Sequence, residues 1–240
     1  LIFPAVLCRS RNKRVDAMLI KERMSTPAVT ITPDIPFQDA LKLMREKGYR
    51  RLPVVNRSGE LVGIVSERDL LYATPSPASS LSVWELNYLL SQLQVREIMT
   101  KHVITTTPDT PIEDAAEVMA TRKIGGMPVV DANNYVLGVI TETDIFKALV
   151  EMMAMRRSGV RLTLDVPERM GVLGELATGI AEMGGNIMGV GVYDSDVINH
   201  RRLLTKVQGV TKAQLVDMLE GLGDHVLDAR EVGEAVTISA

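Results

Sequence analysis

The sequence predicts an α/β (α+β) chain in which one supersecondary unit is used twice and a βαββαβ module follows. Three observations carry this. Residues 24–70 and 99–145 match in register at an offset of 75 with no gap, and fifteen positions are identical, among them Pro33/Pro108, Met44/Met119, Gly63/Gly138, Glu67/Glu142 and Asp69/Asp144. A match of this length means one structural unit repeated. Each copy reads strand, helix, strand, turn, strand, helix by its apolar periodicity. From Val160 the pattern changes to strand, helix, strand, strand, helix, strand, the ferredoxin-like order.

In the first copy, Ala28–Thr32 is an extended run before Pro33. Phe37, Ala40, Leu41 and Met44 fall at i, i+3, i+4 and i+7, one apolar stripe of a helix. Pro36 suits its first position and Gly48 the residue past its end. Leu52–Val55 and Leu61–Val65 are apolar runs joined by a turn at Asn56–Gly59, and Glu67 opens a second helix. The second copy repeats this with Ile112, Ala115, Ala116 and Met119 as the stripe and with Val129–Val130 and Val136–Ile140 as strands. Thr110 and Glu113 read as a capping box; the first copy has Ile35 at the place of Thr110. Between the copies, TPSPASS is a loop by composition. Ser82 and Glu85 then cap a short amphipathic helix that carries Trp84 and Leu86, Leu89, Leu90 and Leu93. Ile145–Met155 reads as a long helix.

In the last module, Val160, Leu162, Leu164 and Val166 alternate with polar residues, the mark of a half-buried strand. Leu173, Leu176, Ala177 and Ile180 stripe one helix; Leu215, Met218, Leu219 and Leu222 stripe the other. Ile187–Tyr193, Arg202–Val207 and Val226–Arg230 are the remaining strands. The resulting domains are an N-terminal extension at 1–17, a first copy at 18–83, a linker helix at 84–98, a second copy at 99–157, the module at 160–232 and a tail at 233–240. Met18 reads as the natural start.

The net charge is −3, with 24% of residues charged. That excludes a broad electrostatic grip on nucleic acid, which needs a basic face. Seven apolar residues at the N-terminus are too few to span a bilayer. One cysteine, Cys8, rules out an internal disulfide framework and suits the cytoplasm. The three histidines lie far apart, with no metal-ligand spacing and hence no expected metal site. No phosphate loop, nucleophile elbow or HExxH is present. The glycines at 184–191 follow a helix, whereas a dinucleotide fingerprint must sit between strand and helix. The chain therefore reads as non-catalytic and without a cofactor.

The repeated signal is a strand, a hydroxyl and an acid three residues later: Ser66 with Asp69, and Thr141 with Asp144. One reading is helix capping, because Ser and Thr are good N-caps and acids favour the first turn. The other uses the same geometry to hold vicinal ribose hydroxyls on the carboxylate, with the helix N-terminus near a phosphate. Spacing alone leaves both open.

The repeat resembles a CBS-domain pair over residues 24–156, with the hydroxyl–x–x–Asp ending used by adenosine-binding members. The resemblance implies two clefts for adenine nucleotides, with Asp69 and Asp144 as ribose-binding acids and Ser66 and Thr141 as the adjacent hydroxyls. AMP, ADP, ATP or S-adenosylmethionine are the implied regulatory ligands. Arg50 and Arg51 match the place of basic phosphate-binding side chains. The second copy has Gly125 and Gly126 there, which implies one phosphate site and another that is either weak or suited to an uncharged adenosyl ligand. Residues 160–232 resemble an ACT domain, a module that binds amino acids. Glu168 and Gly171 match its ligand loop, with Met170 in place of the usual proline, and Asn186 follows the helix as in ligand-binding members. The whole arrangement resembles the acetoin-utilisation AcuB type, which implies a cytoplasmic homodimeric sensor acting on a regulated protein. The alternative is an interaction scaffold that binds no small molecule.

Overall fold

The computed structural model describes residues 18–72 and 92–233, which fall into two compact units divided between Ile145 and Phe146. The expected helix around Trp84, the extension at 1–17 and the tail beyond Gly233 lie outside the described residues.

In the first unit, α1 (Ile20–Arg23) precedes α2 (Phe37–Lys47), β1 (Arg51–Val55), β2 (Leu61–Ser66) and α3 (Glu67–Tyr72). The second copy repeats the series as α4 (Val95–Ile98), α5 (Ile112–Arg122), β3 (Gly126–Val130) and β4 (Val136–Thr141); α6 (Glu142–Met152) then follows. The apolar stripes do what their spacing requires. Phe37, Ala40 and Met44 of α2 are buried, as are Ile112, Ala115 and Met119 of α5. β1 and β2 pair antiparallel with Arg51 opposite Ser66, and β3 and β4 pair identically with Gly126 opposite Thr141.

The leading segments are exchanged between the copies. Ile20 of α1 is fully buried in the core of the second copy, with Met119, Met127 and Ile140. Val95 of α4 is fully buried in the core of the first, with Phe37, Met44 and Leu52. The exchange is fixed by backbone hydrogen bonds. Ser25 and Val139 each donate to the other's carbonyl, at 2.9 and 3.1 Å, and Ile64 and Thr100 do the same at 3.0 and 2.9 Å. These pairs are related by the repeat offset. Gly63 and Gly138 lie where the crossing chain comes closest. A Cβ on Gly138 would stand 2.8 Å from the Ser25 carbonyl oxygen, and one on Gly63 would stand 2.6 Å from Met99 Sδ.

The capping box read at Thr110 does not form. α5 begins at Ile112 with Pro111 as N-cap and no side-chain cap. Thr110 Oγ1 instead accepts from the Thr107 amide at 3.4 Å. Proline brings its own preset φ to the helix start in both copies, and neither start has a side-chain cap.

The second unit contains β5 (Gly159–Pro167), α7 (Val172–Glu182), β6 (Asn186–Asp194), β7 (His200–Gln208), α8 (Lys212–Gly221) and β8 (His225–Val232). Its antiparallel sheet has the order β6-β7-β5-β8, the ferredoxin-like arrangement. Alternate residues of β5 meet the helical stripes in one core, which contains Leu162, Leu164, Leu176, Ile180, Leu215 and Leu219. α6 ends at Met152, before the expected Met155, because Ala154 turns to φ 49°. The buried Lys206 takes up two carbonyls freed there, its Nζ donating to Ala154 at 3.2 Å and Met155 at 3.3 Å.

Candidate functional site: two clefts at the repeat

Each strand end carries the same small network. Asp69 Oδ2 accepts from the Ser66 amide at 2.8 Å and from the Ser66 hydroxyl at 2.7 Å. Ser66 Oγ also lies 3.3 Å from the Asp69 amide. Asp144 Oδ2 accepts from the Thr141 amide at 3.0 Å and from its hydroxyl at 2.6 Å. Ser66 and Asp69 thus form a reciprocal helix cap, whereas the bonds given for the second copy run from Thr141 to Asp144. All four residues also line clefts. Capping and an outward role are therefore compatible, because the cap uses the same oxygen of each carboxylate, Oδ2.

The Asp69 cleft has a volume of about 460 Å³ and joins Ser66 and Asp69 to Thr100, His102 and Ile104 of the other copy. The Asp144 cleft, about 290 Å³, joins Thr141 and Asp144 to Ser25, Pro27 and Val29. The two sets correspond at the repeat offset, so each cleft is built by one copy's strand end and the other copy's leading segment. Arg50 is pinned beside the first strand end because its carbonyl accepts from the Glu67 amide at 2.9 Å; Gly125 and Glu142 make the corresponding bond at 3.3 Å.

Arg50 and Arg51 line both clefts. Position alone therefore does not assign them to one cleft. The exposed Arg50 stands where the copies meet, and Arg51 reaches across to the glycines of the second copy. Burial pulls the Arg51 guanidinium below its ordinary pKa, Glu142 acts against that, and Arg50 adds to it. The clefts differ at other positions. The Asp69 cleft adds Lys123, Arg68 and His102, where the Asp144 cleft has Gly48, Thr143 and Pro27. With two carboxylates in each, the Asp69 cleft is net cationic and the Asp144 cleft balanced. Arg68 is partly engaged by Tyr72, lying 5.4 Å from its ring centroid. Lys123 and His102 were missed by sequence reading. The signal that could have found them is the comparison with Gly48 and Pro27 at the repeat offset.

In the second unit, Glu168 follows β5 and its Oε1 accepts from Arg201 at 3.1 and 3.0 Å. Gly171 is the N-cap of α7 at φ 90°, with open space where a Cβ would be. Asn186 opens β6, and its side chain is exposed with Nδ2 donating to Met188 Sδ at 3.3 Å. Glu168 and Gly171 thus share a loop, and the Glu168 carboxylate is held by Arg201. Among the described residues, no group of three His, Cys, Asp or Glu side chains could hold a metal, and no helix is long and apolar enough to cross a membrane.

The CBS domain family model matches residues 20–76 and 95–151. A CBS domain-containing protein of Dictyostelium discoideum is 32% identical over 136 residues, which is 57% of this chain and 94% of that protein. The L-aspartate semialdehyde sulfurtransferase of Methanocaldococcus jannaschii is 32% identical over 143 residues, 58% of this chain but 25% of the enzyme. Among solved structures, the CBS domain pair of protein MJ0100 in complex with 5′-methylthioadenosine and S-adenosyl-L-methionine is 30% identical. It covers 55% of this chain and 94% of that chain, with a TM-score of 0.46.

Proposed function

Because the chain belongs to the CBS-domain family, we propose that it is a non-catalytic regulatory sensor whose two clefts bind adenosine-bearing ligands. One observation carries the reading: each cleft brings a strand-end hydroxyl and carboxylate from one copy against the leading segment of the other. A carboxylate at a strand end suits a pair of vicinal ribose hydroxyls, and the neighbouring apolar segment suits a base. Asp69 and Asp144 hold the ribose in this reading, supported by Ser66 and Thr141. Arg50, Arg51 and Lys123 meet phosphate in the Asp69 cleft. AMP, ADP or ATP fits that cleft, and an adenosyl ligand without phosphate, such as S-adenosylmethionine, fits the balanced one.

The reading extends to the second unit. Its ferredoxin-like order and the loop at Glu168 and Gly171, with Asn186, support an ACT-type module for an amino acid. A cytoplasmic homodimer acting on a regulated protein, with a link to acetoin utilisation, completes the proposal. It rests on the domain arrangement read from the sequence.

Calorimetry and thermal shift with AMP, ADP, ATP and S-adenosylmethionine test it. A ligand at 100 times its Kd adds about 2.7 kcal/mol of stability. Asp69→Ala and Asp144→Ala are each expected to remove one bound ligand. If both variants bind like the parent, the ribose role is wrong. The scaffold alternative draws on a specific observation, since the caps alone account for both acids. No shift with any of the four ligands would favour it.

A further inference from the structure

We infer that one guanidinium, that of Arg51, is shared by the two clefts and couples them: a phosphate-bearing adenosyl ligand in the Asp69 cleft weakens a second such ligand in the Asp144 cleft, without penalising an uncharged one. The inference rests on the nucleoside reading above and adds regulation to it. The backbone of Arg51 stands opposite Ser66, and so belongs to the Asp69 cleft. Its side chain leads away to the second copy. A Cβ on Gly125 would stand 2.6 Å from Arg51 Nη2 and 3.0 Å from Glu142 Oε2, and one on Gly126 would fall on Arg51 Nη1. The guanidinium thus fills the room of two side chains that the second copy lacks. Gly126 is the repeat counterpart of Arg51, so one guanidinium serves where a symmetric pair would supply two.

The position of this guanidinium is poised. Nη1 is shut off from solvent and has no hydrogen-bond partner among the described residues. A buried donor without an acceptor gains by turning to an anion, and a guanidinium is one planar fork that binds phosphate from a fixed direction. It cannot face two anions in separate clefts. Phosphate in the Asp69 cleft draws it there, beside Lys123. The Asp144 cleft then keeps Arg50 against Glu142 and Asp144, a setting that disfavours a second phosphate and is indifferent to a neutral ligand. Linkage makes the effect reciprocal.

The test is calorimetry of the full chain with AMP and 5′-methylthioadenosine as probes. Asp69→Asn leaves the Asp69 cleft empty, so AMP reports the Asp144 cleft alone. Its Kd there is expected to be at least about fivefold tighter than the second AMP step of the parent. The methylthioadenosine Kd for the Asp144 cleft is expected to be the same with the other cleft empty or filled by AMP. Arg51→Met abolishes the AMP difference. Gly125→Ala does too, because it displaces the guanidinium against movable side-chain ends only. An equal AMP Kd with the Asp69 cleft empty or filled overturns the coupling while leaving the nucleoside reading intact. So does a difference that survives in Arg51→Met and Gly125→Ala. No AMP binding by the parent, or two AMP molecules on Asp69→Asn, overturns the nucleoside reading and the coupling with it.

Discussion

Lys123 holds the left-handed backbone position after α5 that Gly48 holds after α2, at φ 54° against 68°. A side chain in that region costs about 1–2 kcal/mol per residue, and glycine escapes the cost at the expense of greater freedom in the unfolded chain. Lys123 also lines the Asp69 cleft. Stability and binding therefore pull in opposite directions at this residue. Lys123→Gly is expected to raise stability by about 0.5–1 kcal/mol by chemical denaturation and to weaken AMP several-fold in calorimetry. Weaker folding together with unchanged binding would remove Lys123 from the cleft's function.

The strand-end caps give a second expectation. Ser66 and Thr141 each donate a hydroxyl hydrogen bond to the acid three residues on, and Ser66 Oγ also accepts from the Asp69 amide. Ser66→Ala and Thr141→Ala are each expected to lower stability by about 1 kcal/mol, the ordinary value of an N-cap. Urea midpoints at neutral pH measure it. A loss at one site only would mean that the two copies, despite their matching geometry, do not carry equivalent caps.

Much of the fold could be read from the sequence, because it depends on local periodicity. The stripes of Phe37, Ala40 and Met44 and of Ile112, Ala115 and Met119 are buried as their spacing requires. The acids and hydroxyls of the clefts were also legible, since each group lies three residues from its partner. The exchange of leading segments was not. Ile20 sits in the far copy's core, and a hydrophobic residue's periodicity does not say which of two similar cores receives it. The path of Arg51 was hidden for a related reason: a long side chain crosses to wherever room exists, and Gly126 provides it 75 positions away. The box at Thr110 was overread, because Pro111 sets the helix start through its own φ.

Gly63 and Gly138 occupy matching positions but are not equally tolerant. A Cβ on Gly138 would meet the Ser25 carbonyl oxygen at 2.8 Å as well as Met24 Sδ at 2.7 Å. On Gly63 the backbone oxygen, that of Thr100, lies farther off at 3.2 Å, and the close atom is Met99 Sδ. A thioether can swing aside, whereas a carbonyl held in a two-way bridge cannot. Gly138→Ala is expected to cost about 1–3 kcal/mol, the usual scale of overpacking, and Gly63→Ala less. Denaturant midpoints rank them. The reverse order would mean that Met99 is the more rigid neighbour.

Asp165 sets the expected acid sensitivity of the second unit. It lies on β5 and is buried at 7% exposure. Ser195 Oγ donates to its Oδ1 at 2.5 Å, and His200 Nδ1 lies 2.6 Å from its Oδ2. The Ser195 bond, foremost, holds the carboxyl below the usual range; burial opposes this, and the bond to His200 and the charges of His200 and Arg202 assist. The folded state therefore binds the proton less readily than the unfolded chain. Its contribution is complete above the ordinary carboxylate pKa of about 4 and is lost as pH falls through the lower folded value. In Ser195→Ala that folded value climbs back toward the ordinary one, so less remains to be lost. Urea midpoints of parent and variant are expected to differ most at pH 6 and to converge toward pH 3. A gap that stays constant across that range would show that Ser195 supports the strand end by packing, without stabilising the ionised carboxylate.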